Sequence, residues 1–215
     1  MSLRKILGGI EDEVGNKEEF KDELYEAMRK ATRFSKQAIF ALHRGDPKRT
    51  SKLLKDAEKL FSKLDEVPLV RGELAYSGIV DSAFQEYAEA HILLNLIENG
   101  GFVSPKRIHV PSTSYLLGLA DVVGELRRRA LDSLRRGDLR TAEKSLEHME
   151  LIHDELMGLE KALQSVHELR RKTDIARRVI EATRGDISTE VRRDSLERSI
   201  NRLEKTIKAE AKKGR

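Results

Sequence analysis

Apolar and polar positions follow a helical period along almost the whole chain, and the strict alternation that a half-buried strand needs is nearly absent. Apolar residues recurring every three or four positions predict helices at about 17–44, 47–64, 70–98, 112–136, 139–183 and 187–210, the fifth interrupted near Gly158. The pattern predicts an all-α fold, an antiparallel helical bundle of about six to seven helices. A single domain over 1–215 is expected, with flexible ends at 1–16 and 206–215.

One tripeptide sets several of these boundaries. Arg-Gly-Asp occurs at Arg44-Gly45-Asp46, Arg136-Gly137-Asp138 and Arg184-Gly185-Asp186, each time between two amphipathic runs. Arginine complements the negative end of the helix it closes, glycine takes the left-handed position beyond it, and aspartate caps the helix that follows. All three copies are expected to be helix-to-helix corners. At the first, Pro47 falls on the first helical position, where its missing N–H costs nothing. The segment NGGFVSPKRIHVPSTS, residues 99–114, is the one long irregular connection, a length that more often serves function or an interface than nothing.

Two of the helices carry acids where their pattern asks for apolar residues. SAFQEYAEAHILLNLI, residues 82–97, places Glu86 and Glu89 three positions apart, so their side chains share one surface and repel. YLLGLADVVGELRRRAL, residues 115–131, is apolar on all sides for its first three turns, which predicts burial beyond one amphipathic face and most simply a subunit interface. It holds Asp121 and Glu125 one turn apart, with Gly118 and Gly124 nearby leaving room for something to approach. If the two helices pack antiparallel, four carboxylates can converge. Such a cluster is stable only if protons or a cation neutralise it, and Mg²⁺ or Mn²⁺ prefers such oxygen ligands. The competing reading is that these acids pair with Arg127, Arg128 or Arg129, or face water. Glu150 and His153 form one Glu-x-x-His where a dimetal bundle needs two, and His148, His153 and His167 read as surface or packing residues.

Composition narrows the classes further. The 41 Lys and Arg against 37 Asp and Glu leave a net charge of +4, too little to announce a nucleic-acid partner without clustering. Basic clusters do occur, among them Arg170, Arg171, Arg177 and Arg178, either as a solvated ion-pair face or as a track for phosphates. No cysteine is present, so thiolate metal sites and disulfides are excluded. No apolar run approaches the ~20 residues of a membrane helix and no secretory signal is evident, so a soluble cytoplasmic protein is expected. Nucleotide-binding glycine loops and nucleophile elbows are missing.

FQEYAEAHIL, YLLGLADVVGELRRRAL and LRRKTDIARRVIEATRGD, in that order and spacing, resemble the translin family, and its translin-associated factor X branch in particular. The resemblance runs from about residue 17 to 205. It implies a helical subunit of a closed multi-subunit shell that binds single-stranded RNA and DNA, and, from the factor X branch, a metal-dependent endoribonuclease centre. By that resemblance Glu86, Glu89 and Asp121 fall on the catalytic acids, with Glu125 as a fourth ligand for Mg²⁺ or Mn²⁺. Arg170, Arg171, Arg177 and Arg178 become RNA contacts. The chain lacks long extensions, so self-assembly into a homo-oligomer, an octamer by analogy, is expected. Two other readings stand beside this one: a non-catalytic single-stranded RNA- or DNA-binding shell, and an all-α nucleoside-triphosphate pyrophosphohydrolase. The second normally carries Glu-x-x-Asp where this chain has Asp121-x-x-x-Glu125.

Overall fold

The computed structural model describes residues 2–62 and 78–213, and no strand occurs among them. The helices are α1 (Leu3–His43), α2 (Pro47–Phe61), α3 (Gly78–Asn99), α4 (Ser112–Arg135), α5 (Leu139–Met157), the short α6 (Glu160–Ser165) and α7 (His167–Lys213). The part of the third predicted helix that precedes residue 78 lies outside the described residues.

The chain forms two compact units, Met1–Val122 and Val123–Arg215. In the first, α1 packs on α2 and α3. Its centre is Leu24, Ala27 and Met28 of α1 against Val80 and Ala83 of α3, edged by Phe20, Leu60, Phe61 and Phe84. In the second, α5 packs on α7, and Ala130, Ala142 and Ile187 form a small core with Leu134, Leu139 and Leu146.

Two of the three Arg-Gly-Asp copies make the expected corners. Gly45 and Gly137 both sit at φ 75°. The following aspartate N–H donates back to Ala41 and Ser133 respectively, closing the helix end, while its carboxylate accepts from the backbone of Arg49 or Thr141 at 3.0 and 3.1 Å. The third copy is not a corner. Helix α7 runs unbroken through Gly185, because the flanking side chains are used between helices instead of for capping. Arg184 reaches Glu150 at 2.6 Å, and Arg127 holds Asp186 at 3.3 Å while donating to Thr183 Oγ1 at 2.8 Å. A mid-helix glycine costs only about 1 kcal/mol, which such pairs offset.

Other expectations change as well. Helix α1 starts at Leu3, not near residue 17, and α7 continues to Lys213, so the chain ends described here are helical. Within residues 115–126, Leu117, Ala120, Val122, Val123 and Leu126 are buried in the chain itself, while Tyr115, Leu116 and Leu119 stay partly exposed. The break near Gly158 is present, followed by another at Val166. No described helix is long and apolar enough to cross a membrane.

Candidate functional site

Helix α3 is apolar almost all round because it is packed on two opposite sides. Phe84, Tyr87 and His91 share one face, roughly half a turn from Glu86 and Glu89. Phe61 of α2 stacks on Phe84 with ring centroids 4.5 Å apart and meets Tyr87 edge-on at 5.0 Å, and Tyr87 meets His91 at 4.5 Å. That aromatic contact fixes the rotation of α3 and turns the acids the other way.

On that side α3 meets α4. A side chain at Gly118 would place its Cβ 2.6 Å from the Gln85 carbonyl oxygen, 3.0 Å from the Glu89 nitrogen and 3.1 Å from the Ala88 Cβ. Backbone therefore touches backbone here, as only glycine permits. One turn along α4, Asp121 accepts a 2.6 Å hydrogen bond from the Gln85 amide. Gly118 and Asp121, one turn apart on α4, thus both meet the turn of α3 that begins at Gln85.

Of the four acids, Glu86, Glu89 and Asp121 belong to the first unit and flank this crossing. Glu89 is buried, 7% exposed. A carboxylate that far from water costs several kcal/mol unless it is compensated. Glu86 meets Lys36 of α1 at 3.1 Å, while Asp121 is held by Gln85; Glu89 and Asp121 engage further groups too. Glu125 lies one turn beyond Asp121 on the same helix, 3.9 Å from Arg128. Among the described residues no three acids or histidines are gathered tightly enough to grip a cation as they stand. The donor chemistry, all carboxylate oxygen with one acid buried, suits Mg²⁺ or Mn²⁺. Gln85 and Lys36 are the partners that sequence reasoning missed: Gln85 directly precedes Glu86, but nothing local marked Lys36, which comes from another helix.

The arginines lie on α7. Arg170, Arg171, Arg177 and Arg178 are exposed. Arg171 has Glu168 at 3.9 Å, whereas Arg170, Arg177 and Arg178 have no ion pair among the described residues. Glu181, one turn beyond Arg177 on the same helix, pairs with Arg184 at 3.1 Å. The single Glu-x-x-His is dismantled in the same way: Glu150 binds Arg184 and His153 turns to Asp154 at 3.2 Å.

The loop between α3 and α4 is anchored at several points. Val103, Ile108 and Val110 are buried, the Tyr115 hydroxyl donates to the Val103 carbonyl at 2.7 Å, and the Asn95 amide donates to that of Gly101 at 2.7 Å. It braces the start of α4, and so the approach to Gly118.

His91 supplies a prediction of its own. Its Nε2 is buried with no hydrogen-bond partner among the described residues, and burial pulls its pKa down to about 4. Above pH ~6.5 the ring is neutral whether folded or not; between ~6.5 and about 4 only the unfolded chain takes the proton. Stability is therefore complete above that window and falls as pH drops through it, by up to about 3 kcal/mol. Denaturant titrations at pH 7 and pH 4.5 should show this loss in the parent, and His91→Phe, which keeps a ring against Tyr87, should flatten the difference.

The crossing of two acid-bearing helices in an all-α chain defines a class that similarity makes specific. The translin family model matches residues 19–183, and the chain belongs to the translin family. An uncharacterized protein of Methanocaldococcus jannaschii is 30% identical over 193 residues, 89% of this chain and 85% of that protein. Among solved structures, the AfC3PO–duplex RNA complex is 32% identical with a TM-score of 0.72, covering 86% of this chain and 95% of that one. AfC3PO alone is 32% identical at 0.73, covering 88% and 97%. Apo-NeC3PO, 24% identical at 0.77 over 86% and 96%, shares the fold.

Proposed function

We propose that this protein is a metal-dependent endoribonuclease that binds and cleaves single-stranded RNA as a homo-oligomeric shell. The observation that carries the reading is the α3–α4 contact at Gly118, which sets the backbone of buried Glu89 against α4 one turn before Asp121, itself bonded to Gln85. Glu86, Glu89 and Asp121, with Glu125, are the residues that would hold Mg²⁺ or Mn²⁺. Such an ion, when bound, activates water and stabilises charge on the scissile phosphate. Lys36 is more than half exposed, and a pair of that kind is worth at most about 1 kcal/mol. It is weak enough for a divalent cation to displace, and it holds the Glu86 carboxylate in place until then.

RNA binding is supported by the similarity to AfC3PO, whose structure was solved with duplex RNA. The unpaired guanidiniums on α7 are the complement to phosphate. A second reading has its own observation: with Glu86 paired to Lys36 and Asp121 to Gln85, the acids could be structural in a shell that binds RNA without cutting it.

Labelled single-stranded and duplex RNA, and nucleoside triphosphates, incubated with the pure protein in Mg²⁺, Mn²⁺ or EDTA, separate these readings. Cleavage of single-stranded RNA that EDTA abolishes is the expected outcome. Binding without cleavage would establish the structural role, and triphosphate hydrolysis alone would redirect the assignment to a pyrophosphohydrolase. In the same samples, changing Arg170, Arg171, Arg177 and Arg178 to Ala should weaken RNA binding and flatten its salt dependence, since each lost phosphate contact removes about one released counterion. An unaltered salt slope would exclude these arginines as the RNA surface.

A further inference from the structure

The largest apolar side chains left in water are concentrated at the two ends of the chain. Leu3, Leu7, Ile10 and Val14 of α1, and Leu196, Ile200, Leu203 and Ile207 of α7, are each 47–70% exposed. Both sets have the same 4-3-4 spacing, which is the seam of a coiled coil. On α1 the stripe keeps the phase of Leu24, Met28 and Ala31, buried further along, so the core-facing side of this helix runs on past the core. The translin family model covers neither stripe, since it matches only 19–183.

The charges on the two arms are opposite. From Leu3 to Glu23, before the first buried residue, α1 has seven acidic and four basic side chains. From Ser188 to Lys213, after the last buried residue, α7 has eight basic and five acidic. Pairing two α1 arms or two α7 arms would add charge of one sign, whereas pairing α1 with α7 cancels it. Each arm has four apolar positions to offer the other, and both stripes remain exposed in a single copy.

We infer that the α1 arm of one copy packs along the α7 arm of a second copy, in a heterotypic helical seam. This goes beyond the RNA reading and does not rest on it, because the seam would persist in a protein that neither cuts nor binds RNA.

The chain has no cysteine, so single thiols report contacts cleanly. Full-length Ile10→Cys and Leu203→Cys chains with different tags are co-expressed and treated with a short flexible bis-maleimide. Helicity and assembly size are compared with the parent. The expected result is an Ile10–Leu203 cross-link between differently tagged chains, severalfold in excess of either like-arm product and reduced by high salt. Predominance of Ile10–Ile10 or Leu203–Leu203 products would overturn the heterotypic seam. Closure of the Ile10→Cys/Leu203→Cys double variant only upon itself would overturn the second copy as partner, and absence of any product would show that the arms do not meet.

Discussion

Glu89→Gln is expected to lower Mg²⁺-dependent cleavage of single-stranded RNA by orders of magnitude while leaving helicity and RNA affinity intact. The substitution removes a charge and almost no volume at a position only 7% exposed, beside the backbone contact of Gly118. Asp121→Asn and Glu86→Gln should act in the same direction. Lys36→Met adds a readout that a structural role would not give. If Glu86 holds the ion, removing its competing ammonium should reduce the Mn²⁺ concentration needed for half-maximal cleavage. Water activated by a metal also leaves no 2′,3′-cyclic phosphate, so product ends report the mechanism directly. Full activity in Glu89→Gln, or cyclic phosphates formed in EDTA, would reassign these acids to structure.

The second large effect is a pair of opposite signs on one helix. Gly118→Ala should destabilise by roughly 1–3 kcal/mol, or about 2–12 °C in Tm, because the new methyl group meets the Gln85 carbonyl at 2.6 Å and backbone cannot turn aside as a side chain can. Cleavage should fall with it, since any separation of α3 from α4 loosens the bond from Gln85 to Asp121. Gly124→Ala, six residues along, meets nothing within 4 Å and should stabilise by about 0.5–1 kcal/mol by removing backbone freedom from the unfolded chain. Parallel thermal melts of the two proteins and the parent check the sign of each. Equal melts for Gly118→Ala and the parent would mean that the helices can part at no cost.

Much of this arrangement was legible in the pattern of residues. The all-α class, the corners at Gly45 and Gly137 and the two acid-bearing helices all follow from local rules of periodicity and capping. The third Arg-Gly-Asp misled because the same three residues can serve either a cap or ion pairs between helices. Only the positions of Glu150 and Arg127, remote in sequence, decide between these uses. The beginning of α1 was hidden by Gly8, Gly9 and Gly15, which weaken a local helix signal without ending the helix. At the site, spacing singled out the acids as candidates but could not point to Lys36, the partner of Glu86. Long-range pairing leaves no periodic trace, whereas faces and caps do.

The connection from α3 to α4 has a consequence for anyone who would alter this protein. Long irregular segments are the usual choice for inserting a tag, a reporter or a new pair of chain termini, because they tolerate extra length. Here the choice would be poor. Three side chains of the segment are sunk into the structure and two of its carbonyls are held by Asn95 and Tyr115, so inserted residues would pull on the start of the helix that presents Gly118 and Asp121. For cargo or labels this loop is a mooring line, and its slack is already taken up.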